Sequence, residues 1–234
     1  MRDFLQFEKK IGVKFKEKNL LKEALTHRSY INENPSWAVP HNERLEFLGD
    51  AVLELVVSQE LFVMFPNYAE GPLTSFRAAL VNYQMLAQVA KDIELGDSLF
   101  LSKGEAKDKG RARDVILANA LESLIGAIYS DQGYGASRKF VNKFVMPYLS
   151  EIKEKELYRD PKSSLQELVQ EKLKLTPNYK VLKEFGPDHA KTFVVGLYLG
   201  DKLAATGQGP SKQEAEVEAA RETLKQFKHA VHKP

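Results

Sequence analysis

Along the first 150 positions apolar residues recur at spacings of three and four. They do so in LLKEAL, ERLEFLGDAVLELVVSQELF, PLTSFRAALVNYQMLAQVAK and DVILANALESLIGAIYSD, the period of helices with a buried stripe. Asn34-Pro35, Phe65-Pro66-Asn67, Gly71-Pro72, Gly104, Gly110 and Gly133 punctuate the pattern. No alternating segment interrupts it, so residues 1–150 read as an all-α domain. The charged run from residue 151 to 160 reads as a linker, partly helical. Beyond it the period changes. SSLQELVQEKLKL places Leu165, Leu168, Val169 and Leu173 on one helix face, and NYKVLKEF is a strand candidate. KTFVVGLYLGDKLAATGQG alternates Phe193, Val195, Leu197 and Leu199 on one side, with Gly200-Asp201 as a two-residue hairpin turn. Ser211 is placed to cap a last helix whose inner stripe is Ala215, Ala219, Ala220, Leu224 and Phe227. Residues 161–230 therefore read as a small α+β domain, α-β-β-β-α, with both helices on one face of the sheet.

Composition narrows the function only a little. The 234 residues are 43% hydrophobic and 28% charged, as in an ordinary globular protein. No apolar run approaches the roughly 18 residues of a membrane span, and the first residues, MRDFLQFEKKIGVKF, lack a signal-like apolar core, so a cytoplasmic protein without membrane contact is expected. The absence of cysteine excludes disulfides and thiolate metal sites. Residues 1–150 hold 19 basic and 19 acidic side chains, and residues 151–234 hold 15 and 13. Nucleic-acid binding must then rest on where charges sit, not on their sum.

The stretch HNERLEFLGDAVLEL supplies such a placement. At about 100° per residue, Glu46 lies about 300° and Asp50 about 340° from Glu43, so three carboxylates share one strip of a helix otherwise covered by Leu45, Leu48, Val52 and Leu55. A solvated acidic face paired with Arg44 is the commoner reason for such a strip. The second helix, VILANALESLIGAIY, is apolar nearly all round, and only Asn119, Glu122 and Ser123 interrupt it. A carboxylate there costs free energy unless compensated; a buried salt bridge is one compensation. If the two helices pack, their carboxylates converge and raise one another's pKa, and a divalent cation resolves that conflict. Hard oxygen donors without His or Cys suit Mg²⁺, with Mn²⁺ as a substitute. A di-iron carboxylate bundle would repeat Glu-x-x-His, which this chain lacks.

NERLEFLGD (Asn42–Asp50), ALTHRSY (Ala24–Tyr30) and VILANALESLIGAIYSD (Val115–Asp131) resemble, in order, blocks of the ribonuclease III family. The resemblance implies a Mg²⁺-dependent endonuclease for double-stranded RNA, working as a homodimer and leaving 5′-phosphates, 3′-hydroxyls and short 3′ overhangs. It implies Mg²⁺ ligands at Glu46, Asp50, Asn119 and Glu122, catalytic roles for Asp50 and Glu122, further acids at Glu43 and Glu70, and a dimer contact at Phe47. It also implies work on ribosomal RNA precursors and some messenger RNAs. The family usually has Asp where this chain has Asn119, which removes one negative charge from the ligand set. A duplex-binding protein that cuts weakly or not at all is the alternative reading.

Residues 161–230 resemble a double-stranded-RNA-binding domain. A-form RNA presents 2′-hydroxyls in a shallow minor groove and phosphates beside it. The resemblance places Gln166 and Glu167 as minor-groove contacts, His189 as a second one from a loop, and Ser211 and Lys212 at a helix N-terminus that attracts phosphate. Gln213 stands where the family often has a second lysine. Upstream of the acidic helix, Lys107, Lys109, Arg111 and Arg113 form a basic loop that either contacts phosphate or is simply solvated.

Overall fold

The computed structural model describes residues 4–156, 158, 160–187 and 191–231, with side chains described as far as residue 227 in the last helix. The chain divides into two compact units, 1–158 and 159–234.

The first unit is helical: α1 (Phe4–Ile11), α2 (Lys18–Ala24), α3 (Arg28–Glu33), α4 (Glu43–Met64), α5 (Glu70–Val81), α6 (Tyr83–Asp92), the single turn α7 (Leu95–Ser98), α8 (Arg111–Gln132), α9 (Tyr134–Phe144) and α10 (Tyr148–Glu154). Its centre is α8. Leu117, Ala118, Ala120, Leu121, Leu124, Ile125, Ala127 and Ile128 are all buried, because α2, α4, α6 and α9 pack around it. That enclosure explains a helix apolar on every side. Helix α4 packs against α8, and its Leu45, Val52, Leu53, Val56 and Val57 are buried in the same core. The two backbones nearly touch. A Cβ on Gly49 would stand 1.7 Å from the Glu122 carbonyl oxygen, and one on Gly126 would stand 2.1 Å from the Leu45 carbonyl oxygen. Only hydrogen side chains permit that approach.

Several sequence expectations are corrected in detail. Helix α8 begins at Arg111, so Arg111 and Arg113 belong to its first turn and not to a loop; a Glu105–Lys107 3₁₀ turn precedes it. The break expected at Gly71-Pro72 lies inside α5, where Pro72 occupies the first turn and no intrahelical N–H is lost. Leu55 is exposed on α4. The charged run after residue 150 continues α10, whose Ile152 is fully buried in the helical core, and Tyr158 packs on Phe76 at 4.3 Å between ring centroids.

The second unit contains α11 (Pro161–Leu173), β1 (Pro177–Phe185), β2 (Thr192–Leu199), β3 (Lys202–Gly209) and α12 (Lys212–Val231). The strands form an antiparallel sheet in the order β1-β2-β3. Leu199 pairs with Lys202 across the Gly200-Asp201 turn, with Gly200 at φ +63°. Asp160 caps α11 by accepting the Ser163 N–H at 2.9 Å, and Pro161 supplies the first helical residue. The core joins Leu165 and Val169 of α11 to Leu197 and to Ala219 and Ala220 of α12. Leu173 is 46% exposed and lies outside it.

Candidate active site and RNA interface

The crossing of α4 and α8 places the acids. Glu46 projects from the first turn of α4 and is half-buried, while Asp50, one turn on, is exposed. Asn119 and Glu122, three apart on α8, are the two half-buried positions between Ile116 and Ile128, where every other residue is buried. Burial first, then the Asp50 and Glu46 carboxylates, push the Glu122 carboxyl up to about 8. Burial likewise raises Glu46, helped by Glu43 and Asp50. Each coupling acts in the sense expected of like charges held close in a poor solvent. Glu46 and Asp50 of α4 and Glu122 of α8 thus lie close enough to act on one another electrostatically.

Glu43 sits at its edge. It pairs with the Arg28 guanidinium at 3.3 Å and lies 3.7 Å from His41 Nδ1. Arg28 was not singled out from the sequence; its place in THRSY, 15 residues before Glu43, carries no periodic signal. Glu70 stands apart. It is exposed at the start of α5, lining a cavity of about 400 Å³ with Ser58, Phe62, Tyr68 and Arg77, and is not one of the acids that perturb Glu46 or Glu122. Phe47, also on α4, is 82% exposed. Arg113 is drawn back onto the Gly96 carbonyl at 3.4 Å, whereas Lys107 and Lys109 are exposed.

Among the described residues, no three His, Cys, Asp or Glu side chains are drawn together tightly enough to enclose a metal ion. The chemistry of the proposed donors nonetheless suits a hard cation: three carboxylates and one amide oxygen, with half-buried Glu122 raised by burial and by its acidic neighbours.

In the second unit Gln166, Glu167 and Gln170 are exposed on α11. Ser211 Oγ accepts the Glu214 N–H at 3.2 Å and so caps α12, which leaves Lys212 exposed at the helix's first position. His189 lies outside the described residues.

Known proteins share both halves. A Ribonuclease-III-like family model matches residues 17–149, and a double-stranded RNA binding motif matches residues 161–227. "Ribonuclease 3" of Dehalococcoides mccartyi is 43% identical over 230 residues, covering 98% of this chain and 97% of that protein. "Ribonuclease 3" of Desulfotalea psychrophila is 46% identical over 222 residues, 95% and 92% of the two chains. The crystal structure of the nuclease domain of ribonuclease III from Campylobacter jejuni is 40% identical, with a TM-score of 0.56 over 63% of this chain and 96% of that one. A related structure of that domain, covering 62% and 97% at the same identity and TM-score, describes flexibility in a region involved in dimer formation.

A helical unit built on two crossed acid-bearing helices, followed by an α-β-β-β-α reader of duplex RNA, defines a nuclease that carries its own substrate clamp. The chain belongs to the ribonuclease III family, and its activity is endonucleolytic cleavage of double-stranded RNA. Among the described residues no helix is long and apolar enough to cross a membrane.

Proposed function

We propose that the enzyme hydrolyses duplex RNA with Mg²⁺ held by Glu46, Asp50, Asn119 and Glu122, with Asp50 and Glu122 acting on the reacting groups. The observation that carries this reading is the convergence of Glu46, Asp50 and Glu122 on one another across the α4–α8 crossing. Bound there, Mg²⁺ would acidify a water ligand and neutralise charge on the phosphodiester. The chain supplies the remainder. Glu122 is held beside Asp50 on a backbone contact too close to slide. Glu43, paired with Arg28, borders the cleft as an auxiliary acid, and Glu70, away from it in this chain, is the second proposed auxiliary acid. Products carry 5′-phosphates and 3′-hydroxyls.

Phe47 and the neighbouring exposed Leu55 and Phe62 of α4 supply an apolar face for a second copy of the helical unit. Two sites so paired would cut both strands and leave short 3′ overhangs, with ribosomal and messenger RNA precursors in the cytoplasm as the expected substrates. Binding falls to Gln166, Glu167 and His189 in the minor groove and to Ser211 and Lys212 at phosphate.

Asn119 coordinates through a neutral oxygen, so activity survives but needs more metal. Cleavage of a labelled duplex over a Mg²⁺ titration should show half-maximal cutting by Asn119→Asp at a several-fold lower Mg²⁺ concentration than by the parent. No cutting by the parent at any Mg²⁺ concentration would overturn the reading.

A further inference from the structure

The duplex-reading elements of the second unit have to stand a fixed distance apart, because minor groove and phosphate rows repeat rigidly in A-form RNA. Helix α12 is set directly on the sheet: it packs along β2 and β3. Helix α11 packs mainly on α12 and meets the sheet at β1. The buried part of α12 that clusters with Leu165 and Val169 is the small pair Ala219 and Ala220. Such small side chains let α11 approach closely and offer little relief against rotation and sliding. Something directional has to set the register.

One cluster does this. Lys162, at the second position of α11, donates to Glu216 on α12 at 2.6 Å, with both side chains about one-third exposed. The Lys162 ammonium also lies 4.8 Å from the centre of the Tyr179 ring on β1. Burial, then the Glu216 and Asp160 carboxylates, push the Tyr179 phenol up to about 12, so it stays protonated between them. Its hydroxyl is buried and has no hydrogen-bond partner among the described residues. The cluster thus ties α11, α12 and β1 together at one point. That point is one turn before Gln166 on α11 and one turn after Lys212 on α12.

We propose that Lys162, Glu216 and Tyr179 form a brace that sets the spacing between the minor-groove reader on α11 and the phosphate reader on α12, and thereby determines affinity for A-form duplex. Lys162 and Glu216 are positioning residues: they act through Gln166, Glu167 and Lys212, without touching RNA. The inference rests on the RNA-contact roles proposed above, and the test separates the two.

The test is duplex-RNA binding by the full chain in Ca²⁺, followed by fluorescence anisotropy over a range of salt, for Lys162→Met, Glu216→Gln, the swap Lys162→Glu with Glu216→Lys, and the controls Gln166→Ala and Lys212→Ala. The brace predicts that each single change weakens binding roughly three- to ten-fold with the melting temperature nearly unchanged, that the swap restores most of the loss, and that the salt slope stays at the parent value. Unchanged affinity in both single variants, while the controls lose binding, overturns the brace and leaves the RNA contacts standing. A salt slope reduced by about one on loss of Lys162, unrescued by the swap, makes Lys162 a phosphate ligand and also overturns it. Binding lost only in proportion to melting temperature reduces the trio to a packing contact. If the control variants bind as the parent does, the contact assignment itself fails.

Discussion

Glu122→Gln is expected to abolish cleavage, by about 10³-fold or more, while leaving duplex binding within about two-fold of the parent. The substitution is nearly isosteric and lies on α8, in a different unit from the exposed Gln166, Glu167 and Lys212. It removes a charge from the set that includes Asp50 and Glu46, and Asp50→Asn should behave likewise. Parallel loss of binding would contradict the division of labour. The same variant has a second signature in the metal-free protein. Glu122 is raised from 4.5 to about 8 in the folded state, so the protonated form carries the stability. That contribution is complete below about pH 4.5 and is lost as pH rises through about 8. Without metal, Glu122→Gln should therefore melt higher than the parent above pH 8, and the difference should vanish as pH falls toward 4.5. A constant difference across that range would show that its carboxyl titrates normally.

Gly49→Ala is expected to destabilise the helical unit by about 3 kcal/mol or more, measured as a drop in the denaturant midpoint. The added methyl would stand 1.7 Å from the Glu122 carbonyl oxygen and 2.8 Å from the Gly126 nitrogen. Both are backbone atoms in a buried helix and cannot swing aside. The helices must separate, which loosens the core that Val52, Leu53, Leu121 and Ile125 share and moves Glu46 away from Glu122. Gly71→Ala is the matched control, because nothing lies within 4 Å of its added carbon. That change should be neutral or stabilising by a few tenths of a kcal/mol, since Gly71 is helical. Equal effects at the two positions would mean that the close crossing is not what holds α4 and α8 together.

Much of this site could be read from spacing. Glu43, Glu46 and Asp50 fall on one strip because helical geometry is local, and Glu122 stands out because the apolar run around it forecasts enclosure. The α-β-β-β-α order followed from the change of period and from the turn at Gly200-Asp201. Other features depended on partners distant in sequence. Gly49 and Gly126 looked like ordinary helix glycines until the two backbones were seen to meet. Arg111 and Arg113 sit among glycine and charge, which disguised the first turn of α8. Ile152 lies within a run rich in Lys and Glu, yet the core reaches it. Leu55 and Leu173 fit an apolar stripe but face outward, since periodicity says that a face is apolar and not whether its own unit covers it. Lys162 and Glu216, 54 residues apart, gave no signal in either helix alone.

The account stands on carboxylates from two helices serving one cation. Its most direct test is the binding of Mn²⁺ to the full chain near neutral pH, followed by electron paramagnetic resonance, in the parent and in Glu46→Gln and Glu122→Gln separately. Both changes, one on α4 and one on α8, should weaken the same binding event by roughly ten-fold or more. Mn²⁺ binding that is indifferent to either substitution would contradict a shared site.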